Sequence, residues 1–361
     1  MDIMTVVGAR PQFIKAAAVA RAFDRLEDNV HQVFVHTGQH YDTLMSDTFF
    51  VELGLPVPDH HLGIGSAAHG AQTGAIMASL EKIVLQSPPD MIVVYGDTNS
   101  TIAAALVGAK CHVPVAHVEA GLRSFDRRMP EEINRIVADH VASLLLCPSQ
   151  RAVDLLRAEG IVQGVHLVGD VMYDVFKEEN THIRPTDRLS VKLGLETGSF
   201  GVVTIHRADN TDDPMRFDAI VAALSKLAEM GLQLVWPVHP RARDLVAARL
   251  LPEGIHVLEP ATYNEMLWLL RDSAVVLTDS GGLQKEALWS GRPCVTMRDT
   301  TEWTETVDCG WNVLVGANTD QIVDAALNLR PSGSPPPIYG DGNAADAVVG
   351  ILVDAVGTRT W

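Results

Sequence analysis

Short, continuous apolar runs recur along this chain, each followed by a turn rich in glycine or charge and then by a stretch of helical length. That rhythm admits few folds. In the first half the runs fall at residues 3–7, 30–36, 91–95, 114–118 and 144–147, with helix-length stretches at 11–26, 70–85, 98–109 and 130–141. Strands that are apolar throughout are covered on both faces, as in parallel sheets. Repeated strand–helix–strand units of this kind predict an α/β protein with helices on either side of parallel sheets. The rhythm weakens over 174–199, where charges, Pro185 and Gly198 accumulate, and resumes with runs at 201–205, 232–236, 256–258, 274–278 and 293–297. Residues 331–342 read as a loop and 344–356 as a last helix. A single hydrophobic core usually stops growing near about 250–300 residues, so a 361-residue chain with this interruption is read as two domains. Each half opens alike: an apolar strand, a turn carrying an arginine (Arg10, Arg207), then a helix.

Charge narrows the partners. Lys and Arg number 28 against 45 Asp and Glu, a formal charge of −17. Such a surface argues against nucleic acid or an anionic membrane as the main partner, although a local cluster of cations can still hold a small anion. Cys111, Cys147, Cys294 and Cys309 form no Cys-x-x-Cys pair and are expected to be reduced thiols. The start lacks a basic leader with an apolar core, and no run approaches the roughly 18 apolar residues of a membrane span, so a cytoplasmic location is expected.

In open parallel sheets, ligands sit beyond the carboxyl ends of the strands, so the residues after each run are where chemistry is sought. Gly8-Ala9-Arg10-Pro11 follows the first run, with Lys15 one turn into the helix. Gly8 suits a tight turn, Pro11 the first helical turn, and the two cations read either as a phosphate site or as a solvated turn. Asp97, in Gly96-Asp97-Thr98, reads as a helix cap or a functional carboxylate. Glu119 ends a strand beside the Gly121 turn. Glu131 and Glu132 open a helix, where acidic residues favour the dipole, and Glu131 lies four residues from Arg135, the spacing of a surface pair.

In the second half, His206-Arg207 and His239-Pro240 follow strands, and Asp279-Ser280-Gly281-Gly282 joins a buried strand to a helix that carries Glu286. Backbone N–H groups at such a turn suit a diphosphate, and Glu286 could hold ribose hydroxyls. Neither a dinucleotide fingerprint nor a Walker loop nor a Gly-x-Ser-x-Gly elbow is present, and the 14 histidines form no metal-ligand spacing, so neither cofactor nor metal is expected.

Taken in order, these turns resemble the non-hydrolysing UDP-N-acetylglucosamine 2-epimerase family. The motifs are Gly8-Ala9-Arg10-Pro11, His36-Thr37-Gly38-Gln39-His40-Tyr41-Asp42, Gly96-Asp97-Thr98, and His117-Val118-Glu119-Ala120-Gly121-Leu122-Arg123. They continue with Pro130-Glu131-Glu132-Ile133-Asn134-Arg135, His206-Arg207, Pro237-Val238-His239-Pro240, Thr278-Asp279-Ser280-Gly281-Gly282 and Thr301-Glu302-Trp303. The resemblance implies a glycosyltransferase-B-like fold, two Rossmann-like domains with parallel sheets flanking a central cleft. It divides the chain into 1–175 and a UDP-binding 176–343, with the final helix, about 344–361, packing back onto the first domain. A homodimer acting on a UDP-sugar is implied, without cofactor.

The implied reaction is reversible C2 epimerisation of UDP-N-acetylglucosamine to UDP-N-acetylmannosamine by elimination and re-addition of UDP through a 2-acetamidoglucal. By resemblance Asp97, Glu119 and Glu131 form the acid–base group. Arg10, Lys15, His206 and Arg207 steady the diphosphate and assist departure of UDP, His206 as a catalytic residue. Ser280, Gly281, Gly282 and Glu286 bind phosphate and ribose. Arg135, His239 and Arg298 line the site. Gln39 and His40 are kept from the second UDP-N-acetylglucosamine site of activated bacterial members. In that site an Arg-Gln pair is replaced here by Ala68-His69, and the turn reads His206-Arg207-Ala208-Asp209-Asn210, so activation by a second ligand is not expected. The residues 301–306 also resemble the branch acting on UDP-2,3-diacetamido-glucuronic acid. A hydrolysing epimerase, a glycosyltransferase and a nucleotide-sugar sensor are the other readings on this fold.

Overall fold

Residues 1–26, 30–39, 55–182 and 193–358 are described in a computed structural model, apart from the side chains of Arg10 and His182. The chain forms two compact units: residues 1–177 with 337–361, and residues 178–336.

The first unit is built on seven strands among the described residues: β1 (Asp2–Val7), β2 (His31–His36), β3 (His60–His61), β4 (Met91–Tyr95), β5 (Val115–Val118), β6 (Leu144–Cys147) and β7 (Val165–Leu167). They pair in parallel in the order β3-β2-β1-β4-β5-β6-β7. Met4, Val6, Val35, Ile92 and Val94 from the sheet pack with Ile76 and Leu80 of helix His69–Gln86 and with the alanine face of helix Asn99–Lys110. The second unit has β8 (Phe200–Thr204), β9 (Gln233–Pro237), β10 (Ile255–Leu258), β11 (Val275–Thr278), β12 (Cys294–Thr296) and β13 (Asn312–Leu314). Their order is β10-β9-β8-β11-β12-β13, again all parallel. Trp236, Val203 and Leu277 from this sheet pack against Phe217, Ile220 and Leu224 of helix Pro214–Glu229.

Both sheets share one plan. The first strand of each unit lies centrally, and the chain reverses its direction of winding between β1 and β4 and between β8 and β11. At such a switch point neighbouring turns diverge and leave room for a ligand. The turns after β1, β4, β8 and β11 carry Arg10, Asp97, His206, Arg207 and Ser280, while Glu119 and His239 follow the neighbouring strands β5 and β9.

The predicted runs match the central strands to within one or two residues. The short edge strands β3, β7 and β13 were not anticipated: β3 and β7 are two or three residues with exposed or half-exposed side chains, and the one buried residue of β13 is the polar Asn312, so none carries an apolar signature. The weak stretch read from 174 onward begins inside helix Val171–His182, whose buried face is Val171, Met172, Val175 and Phe176. The chain rejoins the first unit at Pro337, within the loop and ahead of the last helix, Ala344–Thr358. Buried Tyr339 marks the return, its carbonyl accepting the Asp170 N–H at 2.9 Å. That last helix packs on helix Arg10–Asp24. Its first N–H groups, at Ala344 and Ala345, are taken by the Asp174 carboxylate at 3.1 and 2.6 Å. No described helix is long and apolar enough to cross a membrane. The four cysteines are free, and burial pushes the thiols of Cys147 and Cys294 up to about 12.

Candidate active site

In the first unit the turns after β1 and β4 are tied by Gln12. This buried amide accepts from the Gly8 and Ala9 N–H groups and donates to the Tyr95 carbonyl and the Thr101 hydroxyl. Gly8 does not adopt the left-handed conformation; it is required by crowding, since a Cβ there would meet the hydroxyls of Thr37 and Ser100 at 2.1 and 2.2 Å. The expected tight turn is therefore a close approach. Lys15 is buried and pairs with Glu119 at 2.5 Å. Glu119 follows β5 with φ of +72°, strained for a residue bearing a Cβ, and the pair sits against Gly96, at φ +58°. Asp97 does not cap the next helix; the Thr98 hydroxyl does, accepting from Thr101 N–H. The Asp97 carboxylate is bound instead by Arg135.

Arg135 corrects a second expectation. It is buried, and reaches Asp97 with one nitrogen and Glu132 with another at 3.0 Å, so it is not half of a surface pair. Glu132, also buried, accepts from Ser124 N–H and hydroxyl and from Phe125 N–H, each at 2.9 Å, and so fixes the loop after β5. Glu131, on the same first turn of helix Pro130–Val141, is half-buried and makes no hydrogen bond or ion pair among the described residues. Near the switch point Glu119 is thus paired with a lysine and Asp97 with an arginine that Glu132 shares, with Glu131 on the helix that carries that arginine and without a partner among the described residues.

In the second unit, Asp279 organises the turn. Fully buried, it accepts the N–H groups of His206 at 3.0 and 3.1 Å and of Arg207 at 3.0 Å, and the Asn210 amide at 3.1 Å. The His206 ring lies beside that of exposed His239, centroids 5.2 Å apart and tilted by 36°. Desolvation lowers the His206 pKa despite the opposing charge of Asp279, and Arg207 and Arg298 lower it further, so the imidazole is neutral at neutral pH. Ser280 precedes helix Gly281–Trp289 and its hydroxyl caps none of that helix's N–H groups. The positive end of the helix is therefore available to an anion. Arg207 Nε is buried without a hydrogen-bond partner among the described residues. Glu286 is buried one turn further along the helix.

Two residues here were not anticipated. Glu302 accepts from Arg298 at 3.0 Å, lies 3.9 Å from Arg207, and occupies the space a Cβ on Gly281 would take. Lys285 is fully buried with its ammonium 3.7 Å from the centroid of the Trp303 ring. Only their position in the 301–303 motif and in the helix after the Gly-Gly turn hinted at either. Of the second-site candidates, Gln39 turns its side-chain carbonyl onto the Ser100 N–H and hydroxyl at 3.0 and 2.7 Å, while His40 and the Arg10 side chain lie outside the described residues. Ala68 is the N-cap of helix His69–Gln86, and His69 meets Asn99.

Two parallel-sheet units, each with its switch point beside the first strand, define the glycosyltransferase-B-like fold class. The spinosyn rhamnosyltransferase SpnG complexed with thymidine diphosphate shares the fold at a TM-score of 0.56 and 16% identity, over 100% of this chain and 99% of that one. Within that class the chain belongs to the UDP-N-acetylglucosamine 2-epimerase family, whose model matches residues 24–353, and it is accordingly an isomerase. It is 45% identical to the UDP-2,3-diacetamido-2,3-dideoxy-D-glucuronate 2-epimerase of Pseudomonas aeruginosa, over 98% of this chain and 99% of that protein. The crystal structure of Methanocaldococcus jannaschii UDP-GlcNAc 2-epimerase in complex with UDP-GlcNAc and UDP matches with a TM-score of 0.90 at 36% identity, covering 98% of this chain and 100% of that one.

Proposed function

We propose that the protein interconverts UDP-N-acetylglucosamine and UDP-N-acetylmannosamine by inversion at C2. The C2 proton has no adjacent carbonyl to acidify it. Breaking the C1–O bond, with the electron pair leaving on UDP, makes C1 oxocarbenium-like, and a base then takes the C2 proton to leave a 2-acetamidoglucal. Protonation at C2 from the opposite face and return of UDP to C1 complete the inversion without net redox change. Asp97, Glu119 and Glu131 serve as the acid–base group. Arg10, Lys15, His206 and Arg207 steady the diphosphate, with His206, as a neutral imidazole, contributing hydrogen bonding to UDP departure. Ser280, Gly281, Gly282 and Glu286 hold phosphate and ribose, while Arg135, His239 and Arg298 line the site.

The observation that carries this reading is the trio of carboxylates in different electrostatic settings: Glu119 against Lys15, Asp97 against Arg135, and Glu131 unpaired among the described residues. A reaction that needs both a base and an acid at one carbon calls for more than one carboxyl group in distinct surroundings. A second substrate, UDP-2,3-diacetamido-2,3-dideoxy-glucuronate, is favoured by the 45% identity to the Pseudomonas aeruginosa enzyme. On the resemblance alone the enzyme is proposed to be a cytoplasmic homodimer.

Incubation with each UDP-sugar in D2O, followed by NMR, tests the reaction and ranks the substrates by kcat/KM. Deuterium is expected at C2 of product with UDP still attached. Stoichiometric UDP and free sugar would mean a hydrolysing epimerase, and transfer that requires an added acceptor would mean a glycosyltransferase.

A further inference from the structure

Beneath the carboxylate trio lies a buried polar cluster that the proposed reaction does not use. His117, in the middle of β5, is fully buried. Its Nδ1 lies 2.7 Å from Oδ1 of Asp139, and its Nε2 lies 2.7 Å from the carbonyl oxygen of Gly96. A carbonyl oxygen can only accept. Asp139 also only accepts, because its other oxygen already takes the Gly121 N–H at 3.1 Å and the Arg123 guanidinium at 2.6 Å. Burial pushes the Asp139 carboxyl up, but the hydrogen bond and charge of His117 and the charge of Arg123 outweigh it and hold the group below the usual carboxylate range. A neutral imidazole has one donor and one acceptor, so it would leave a nitrogen lone pair facing an oxygen lone pair at close range.

Charge balance points the same way. Arg123 forms a two-point pair with Glu159 at 2.7 and 2.8 Å. Glu159 is exposed and also lies 4.0 Å from His140, so the buried carboxylate is Asp139, which shares its one guanidinium with Glu159. On the neighbouring strand the Cys147 thiol is pushed up to about 12 by burial and stays neutral. On the far side of Gly96, Lys15 and Glu119 already satisfy each other. A buried charge only partly compensated is costly, and the histidine is the group able to complete the balance at Asp139.

We propose that His117 is a positioning residue held as an imidazolium, whose Nε2–H grips the Gly96 carbonyl and so fixes Asp97 and Glu119. The Gly96 peptide group is bound on both sides, its N–H donating to the Val118 carbonyl at 3.0 Å and its C=O accepting from His117. Asp97 is the next residue, and Glu119 lies against Gly96 itself. The role in catalysis rests on the epimerase reading; the protonation state does not.

The test uses full-length protein labelled with 15N at histidine. The wild-type spectrum is expected to keep one histidine of the 14 with both ring nitrogens protonated in mildly alkaline buffer, where exposed histidines have lost a proton. That signal should be missing from His117→Gln. A wild-type spectrum with no such histidine overturns the proposal, whether or not the variant folds and whether or not the protein is an epimerase. For folded His117→Gln, turnover should fall by about 10- to 100-fold, the scale of a small misplacement of reacting groups. UDP affinity by calorimetry should be unchanged. The pH–rate profile should move to higher pH, because a cation behind two carboxyl groups has been removed. A merely structural role would lower the active fraction and leave that profile in place. An unchanged turnover and profile in folded His117→Gln would overturn the positioning role.

Discussion

Glu119 illustrates how much of this chain's chemistry is decided at single residues. Its backbone at φ +72° is a conformation that costs of order 1–3 kcal/mol in a residue other than glycine, and such strain persists where the surroundings over-determine it. Here the Lys15 ammonium does so. Removing proton transfer while keeping shape should separate the three carboxylates from the binding residues. Asp97→Asn, Glu119→Gln and Glu131→Gln should each lose about 10²–10⁴-fold in turnover while still binding UDP, as steady-state rates and calorimetry would show. Normal turnover in Glu131→Gln would leave that residue only its place at the helix dipole. The sequence made these three residues legible because each stands in a turn of distinctive composition. It hid the roles of Gln12, Glu132 and Asp279, which consist of hydrogen bonds that only the folded turns create.

At the level of elements, helix ends do most of the work. The helix Gly281–Trp289 begins against Glu302, and a Cβ at Gly281 would lie 2.5 Å from Oε1 of a carboxylate that Arg298 holds in place. Gly281→Ala should therefore push Glu302 off Arg298 and lower UDP affinity. Loss of one charge-assisted contact, about 1.5–3 kcal/mol, corresponds to roughly 10- to 100-fold. Unchanged calorimetric affinity would show that Glu302 yields freely. The Gly-Gly turn was visible in the sequence, but the reason for Gly281 was not, since Glu302 is brought to it only by the fold.

The last helix begins on Asp174, whose pKa is raised to about 6, chiefly by burial, with the Ala345 and Ala344 N–H groups opposing and Asp170 and Asp346 adding to it. The folded protein thus binds this proton more tightly than the unfolded chain does. The stabilisation from protonating Asp174 is complete below the ordinary aspartate range and is lost as pH rises toward about 6. Wild type should gain melting temperature relative to Asp174→Asn as pH is lowered from about 7 to about 5, the window in which only the wild type titrates. Parallel melting curves for the two proteins would contradict the assignment.

For the whole molecule, the alternation of apolar runs and helical stretches was enough to foresee two parallel-sheet units, because buried parallel strands are written as unbroken apolar segments. The short strands β3, β7 and β13 and the path of residues 331–342 were not, because short segments with little buried apolar surface follow whatever they happen to border. Regulation belongs to this scale as well. With Gln39 engaged on Ser100, and Ala68 and Ala208 lacking charge, initial rates should follow a hyperbola in UDP-N-acetylglucosamine. The reverse reaction should start from pure UDP-N-acetylmannosamine without a lag, and a lag abolished by trace UDP-N-acetylglucosamine would reveal an activating site. The division of the chain also has a bearing on its synthesis. The second unit is continuous, whereas the first is interrupted after Lys177 and resumes only at Pro337. On the ribosome, at about 5–20 residues per second, the first unit must wait roughly 10–30 seconds for its closing helix, while its partner can fold as it emerges. During that interval the surface of helix Arg10–Asp24 that the closing helix will cover is bare, which makes a late stop codon a lesion of the first unit and not of the second.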